Sequence, residues 1–380
     1  MSKPIYLDYN ATTPIAPEVV AEMQPWFDTN FGNPSSAYAI GRSSKEAIDK
    51  ARKQVASLIN AEPEEIIFTS CATEANNLAI HGFVLANNDR GKHIITSAVE
   101  HPAVLEVCKY LTNLGYEITY LQVDAFGRVN PADVEKAIRP DTSLITIMHA
   151  NNEVGTIQPI SEIATIAKKN HVAFHTDAAQ SLGKIEVDVQ QLGVDLLTIA
   201  GHKLYAPKGI GALYIRQGIK IENLIHGASQ EKGIRPGTEN VPYIVGLGKA
   251  CELAQQNFSE NSMHLSTLRD KLLSGLQKKL GATVKINADL SSCLPNTLSV
   301  AFEKVEAHTL ASIIEKEVYI STGSACHANS IEISSVLKAM NIDRLTAAST
   351  VRISVGKPTT EEEIDRAIAI ITNAVNQLKE

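Results

Sequence analysis

The sequence has no apolar run approaching the roughly 20 residues that a membrane-spanning helix needs. Its opening, MSKPIYLDYNATT, lacks the apolar core of a secretory signal, so a cytoplasmic location is expected. Cysteine is sparse: five residues, at 71, 108, 251, 293 and 326, an odd number with no CxxC pair. That count excludes a disulfide framework and fits a reducing compartment. An excess of positive charge is missing as well. Thirty-five Lys and Arg against 42 Asp and Glu give a net charge of −7 and a pI near 5.9, which argues against a nucleic-acid or polyanion partner. Internal repeats and low-complexity linkers are absent. What is left, 380 residues with 44% hydrophobic and 20% charged, is the balance of a soluble globular protein with room for one or two domains.

Apolar runs of strand length alternate with helical periodicities. Strands are expected over 65–69, 93–97, 117–123, 143–149, 172–174 and 194–200, and helices over 43–60, from 70 to about 86, and over 104–114, 131–138 and 161–170. This alternation predicts an α/β fold, a mostly parallel sheet sandwiched by helices. Helices over 242–256 and 262–280 follow, the second leading into a smaller α/β C-terminal domain with a strand at 297–302 and helices at 307–315 and 361–378. The expected division is 13–257 for the large domain and 258–380, joined by 1–12, for the small one. Thr13-Pro14 reads as a helix start signal, and the Gly- and Ser-rich stretches 31–42 and 319–328 read as loops.

The most informative run is His175 to Gly211, HTDAAQSLGKIEVDVQQLGVDLLTIAGHKLYAPKGIG. One apolar strand delivers Asp177 at its carboxyl end, and the next ends at Gly201-His202-Lys203. In open α/β sheets that rim is where ligands sit. A carboxylate and an amine there suit pyridoxal 5′-phosphate: the Lys forms a Schiff base, and the acid keeps the ring nitrogen protonated. Upstream, a strand runs through Ser70-Cys71-Ala72-Thr73 into a helix N-terminus, whose free N–H groups and dipole favour a phosphate. Taken singly, these residues are more often a surface pair and a plain N-cap.

Together, TDAAQS and GHKLYAPKGIGALYIR resemble the cofactor segment of the cysteine desulfurases, pyridoxal-phosphate enzymes of the class V aminotransferase group. Selenocysteine lyases are close relatives. Matching stretches run from Tyr6 to Thr360 and include GNPSS, VEH, NNE-G, QE…RPGTEN and TGSAC. The resemblance implies a fold-type-I transferase. It implies that Ala72 and Thr73 bind the phosphate with help from His202, and that Asp177 meets the pyridine nitrogen. Gln180 and Asn152 would face the phenolic oxygen, His101 would stack on the ring and shuttle protons, and Lys203 would carry the cofactor. Asn152, Arg352 and Asn10 (or Thr12) would contact substrate, with the Arg352 guanidinium forking onto its carboxylate. Thr238 would reach the phosphate of a neighbouring subunit, which implies a homodimer. Cys71, Ala200, Ala228 and Ser229 depart from the family's usual Gly, Ser, Gly and Gly.

In the same way Cys326, within YISTGSACHA, is implied as the nucleophile. Its thiolate would take sulfur from L-cysteine, leaving L-alanine and a persulfide for an acceptor protein. Three other readings stand beside this one. Tyr38, Ala200 and His327 lean toward a selenocysteine lyase. A non-catalytic sulfur carrier would need only the Cys, and a simple transaminase would have no use for it. No metal site is expected.

Overall fold

The computed structural model describes residues 3–327 and 330–379, and for 324–327 and 330–332 the backbone alone. Its larger body is built on a seven-stranded sheet. The strand order is Ile66–Thr69, Gly211–Ile215, Leu196–Ala200, Ala173–Asp177, Thr142–Thr146, His93–Ser97 and Glu117–Leu121. Neighbours from Leu196–Ala200 to Glu117–Leu121 are parallel, whereas Gly211–Ile215 runs against both of its neighbours.

Successive side chains on a strand point to opposite faces, and here both faces are covered. Ile95, Ile145, Phe174 and Leu197 pack with the helices Ala39–Leu58, Ile160–Lys169 and Val241–Gln256. Ile94, Leu144, Ala173 and Leu196 pack with Pro102–Thr112 and the helical stretch after Cys71. The central strands therefore read as continuous apolar runs. That second helical stretch is not the single helix expected. Between Ala72–Asn77 and Phe83–Ala86 it widens into a π-turn over Leu78–Gly82, and with the extra residue Ala75, Leu78, Ala79, Ile80, Phe83 and Val84 all reach the core.

The smaller body is an antiparallel sheet, Ser321–Thr322, Thr350–Ser354, Thr297–Phe302 and Val284–Ile286. It has its own core: Leu298, Val300, Phe302, Val351 and Ile353 lie against the helices Phe258–Leu280 and Glu361–Lys379. Ile5–Tyr6 pairs in parallel with Val318–Tyr319, and Ile5 and Leu7 join this core.

Two local expectations are corrected. The first helix begins at Pro17, not after Thr13, because the Thr13 hydroxyl is already engaged: it donates to His202 O (3.1 Å) and accepts from Tyr205 N (3.0 Å). The segment expected as a loop around Cys326 has extended backbone. Ser324–His327 and Ser330–Ile333 form an antiparallel hairpin with Cys326 opposite Ile331. Among the described residues no other strand pairs with this segment, so its N–H and C=O groups pair with one another.

Candidate active site

Because the strands are parallel, their carboxyl ends share one rim. Along it lies a cavity of about 400 Å³ lined by Asn10, Cys71, Ala72, Thr73, Asn76, His101, Asn152, Asp177, Gln180, His202, Lys203 and Arg352, among others. Ten of the twelve site residues expected from the sequence are therefore gathered here. Thr238 is the eleventh, and it lies on an exposed loop away from the cavity. The Cys326 side chain lies outside the described residues. A more open depression of about 900 Å³ over Arg52, Lys53 and Glu231 contains none of the cavity's groups.

Asp177 ends its strand and is nearly enclosed. Oδ1 accepts from Ala179 N (2.9 Å) and Oδ2 from Asn76 Nδ2 (2.7 Å), so the carboxylate is fixed in orientation. Lys203 closes a short helical turn after Ala200, and its Nζ donates to the carbonyls of Asn10 (2.5 Å) and Ala11 (2.7 Å). Burial, and then the Arg352 charge, bring the Lys203 amine down to about 8, against the opposing pull of Asp8 and Asp177.

His101 caps the helix Pro102–Thr112: its Nδ1 accepts from Ala103 N (3.1 Å). The proton of the neutral ring therefore sits on Nε2. Protonating Nδ1 would break the cap and set a cation at a helix N-terminus. Desolvation is the main cause holding this imidazole below its ordinary pKa; Asp177 opposes it and Lys203 adds to it. Behind it, Glu100 is fully buried and accepts from Ser97 Oγ (2.6 Å) and Met148 N (2.9 Å), with burial pushing its carboxyl up to about 8. His202 contacts Thr12 Oγ1 through Nδ1 (3.2 Å), and burial first, then Lys203, bring it down to about 4.

Arg352 comes from the middle of Thr350–Ser354. It donates to Asn152 O (2.9 Å) and pairs with Asp8 Oδ1 (2.7 Å), leaving Nε buried without a partner among the described residues. Asn76 Oδ1 is a second buried polar atom of this kind at the site. Asn10 is 1% exposed and is held on every side. Its Nδ2 donates to Thr297 Oγ1 (2.8 Å), and its Oδ1 accepts from Lys184 Nζ (3.0 Å) and Asn296 Nδ2 (2.9 Å). Asp8, Asn76, Glu100, Lys184 and Asn296 were not singled out by sequence reasoning. The signal available for Asn76 and Lys184 was their place inside ATEANN and TDAAQSLGK, beside residues that were.

Comparison with known proteins places this arrangement. The aminotransferase class-V family model matches residues 5–367. The cysteine desulfurase IscS of Methanosarcina thermophila is 48% identical over 379 residues, all of this chain and 93% of the relative. That of Dictyoglomus turgidum is 48% identical over 380 residues, covering 96% of the relative. A solved NifS-like protein superposes with a TM-score of 0.93 at 41% identity, over 98% of this chain and 100% of the other. A structure described as SspA in complex with cysteine superposes with a TM-score of 0.81 at 38% identity, over 94% of this chain and 100% of the other. The chain belongs to the class-V aminotransferase family, among its cysteine desulfurases.

Proposed function

We propose that the cavity binds pyridoxal 5′-phosphate and that the protein takes sulfur from L-cysteine, giving L-alanine and a persulfide on Cys326. The observation that carries this reading is the convergence of the Lys203 amine and the Asp177 carboxylate in one cavity, beside a helix start at Ala72. The residues fit the cofactor's chemistry. The N–H groups of Ala72 and Thr73 open a helix and have no intrahelical partner, which suits a phosphate. Asp177 can hold a proton at the pyridine nitrogen, Gln180 can donate to the phenolic oxygen, and Asn76 Oδ1 and Arg352 Nε still lack partners among the described residues.

When bound, the cofactor supplies an electron sink that makes the substrate α-proton removable. The protein's groups do the rest. Near neutrality a share of Lys203 is neutral amine, able to take that proton. His101 offers a proton at Nε2, and the guanidinium of Arg352, which lines the cavity, meets the substrate carboxylate. The Cys326 thiolate attacks the substrate sulfur. An S–S bond forms, the C–S bond breaks with its electron pair left on carbon, and a proton returns to that carbon. In sum, cysteine and a thiol become alanine and a persulfide.

Thr238 lies on an exposed loop outside its own cavity, which supports a role in the cavity of a second copy and hence a homodimer. The second core, formed by Ile5, Leu7 and residues from Leu265 to Val375, supports the division at 257/258 with 1–12 joined to the smaller domain, while Val336, Leu337, Met340 and Ala347 pack with the larger core. A cytoplasmic location and an acceptor protein for the sulfur belong to the same proposal.

The test is alanine release from L-cysteine, and separately from L-selenocysteine, by the cofactor-loaded protein and by Cys326→Ala. Wild type is expected to release alanine from cysteine, and Cys326→Ala to lose that activity. Release from selenocysteine only would replace this reading with that of a selenocysteine lyase. Release from neither, with cofactor bound, would overturn both.

A further inference from the structure

Lys184 does not line the cavity, yet it touches two residues that do. Its Nζ donates to Gln180 Oε1 (2.9 Å) and to Asn10 Oδ1 (3.0 Å), and the residue is 7% exposed. The charged groups that face it are Lys203 and Arg352, both cations. Burying an amine in such company costs stability unless its hydrogens are used. Two acceptors match the two hydrogens of a neutral amine.

The consequence falls on Gln180. Its Oε1 points at Lys184, while its Nε2 donates one hydrogen to Asn10 O (3.0 Å). The second Nε2 hydrogen has no acceptor among the described residues and belongs to a side chain that lines the cavity. If the carboxamide turned over, Oε1 would face the Asn10 carbonyl oxygen, a repulsive contact, and the bond from the Lys184 amine to Oε1 would be lost.

We propose that Lys184 is a positioning residue, its amine holding the Gln180 carboxamide so that an N–H faces the phenolic oxygen of the cofactor; this rests on the cavity being a pyridoxal phosphate site.

The test uses the full-length protein loaded with pyridoxal phosphate and reads the pH midpoint at which the visible absorption of the bound cofactor changes. A donor to the phenolic oxygen stabilises its ionised form, so losing that donor raises the midpoint. Lys184→Met is expected to raise it by about one unit, as Gln180→Ala does, and the double variant to rise no further. Lys184→Met also removes a group that can carry charge near Lys203 and Arg352. That effect would persist in the Gln180→Ala background, so an additive rise in the double variant overturns the proposal. An unmoved midpoint in loaded Lys184→Met overturns it too. If Lys184→Met does not fold, Lys184→Gln, one bond short of both oxygens, replaces it. A rise with Gln180 present and none in the Gln180→Ala background supports the proposal, and no rise in either overturns it. Wild type that gains no visible absorption from pyridoxal phosphate overturns the cofactor reading, and this proposal falls with it.

Discussion

Glu231→Ala should loosen the edge of the large sheet. Glu231 sits 3% exposed by side chain and receives Arg52 through two bonds, Nη1 to Oε2 (2.8 Å) and Nη2 to Oε1 (2.6 Å). It also accepts from Phe68 N (2.7 Å), and Arg52 lies 4.7 Å over the Phe68 ring. Truncation leaves a buried guanidinium without its counter-charge, at a cost of about 3–5 kcal/mol. The orphaned Phe68 N–H adds about 1 kcal/mol or more. At about 1.4 kcal/mol per tenfold, a loss of about 4 kcal/mol speeds amide exchange through local opening by nearly 1,000-fold. Hydrogen exchange of the peptide spanning residues 66–70 is the assay, because that strand leads directly into Ala72 and Thr73. Two controls sharpen it. Glu231 has φ +45°, so Glu231→Gly should lose about 1 kcal/mol less than Glu231→Ala. Arg52→Met combined with Glu231→Met should recover much of the loss, since no lone charge remains. Exchange in Glu231→Ala within about threefold of wild type would refute the reasoning.

Two further outcomes follow from titrating groups. In the unloaded protein, reductive alkylation of Lys203 by a small aldehyde, read by mass spectrometry, should be half-maximal near pH 8, and Arg352→Met should move that point upward; labelling that rises only above about pH 10, like a surface lysine, would contradict the site's electrostatics. Glu100 is raised to about 8 in the folded state, so the native protein holds this proton where the unfolded chain has lost it. Stability from this group is full below the ordinary carboxylate range and falls as pH rises toward 8. Thermal unfolding of wild type should therefore weaken from about pH 5 to about pH 8 more steeply than that of Glu100→Gln, and equal slopes would count against the assignment.

The residues assigned to the cofactor were legible because they occupy short motifs at strand ends, where a parallel sheet must present them. Those that hold them in place were not. Asn76 fixes Asp177 from 101 positions away, and Asn296 and Thr297 reach Asn10 across more than 280 positions. Polar side chains of this kind carry no periodicity and no local signal. The π-turn at Leu78–Gly82 escaped for a related reason: one inserted residue leaves the helical apolar pattern intact when read on either side. The hairpin around Cys326 was hidden by composition, since Ser, Gly and Ala argue for a loop wherever the backbone pairs only with itself.

The placement of Asn10 bears on how the protein is made. Its backbone N–H donates to Ser354 Oγ, 344 residues later, and the strand before it, Ile5–Tyr6, pairs with Val318–Tyr319. The segment around Asn10 therefore waits for residues made more than 300 positions later before it can settle. Since Asn10 O is also the acceptor for both Lys203 and Gln180, a growing chain holds these side chains unaligned until Ser354 has been made. The pocket is therefore incomplete in any growing chain that has not reached residue 354.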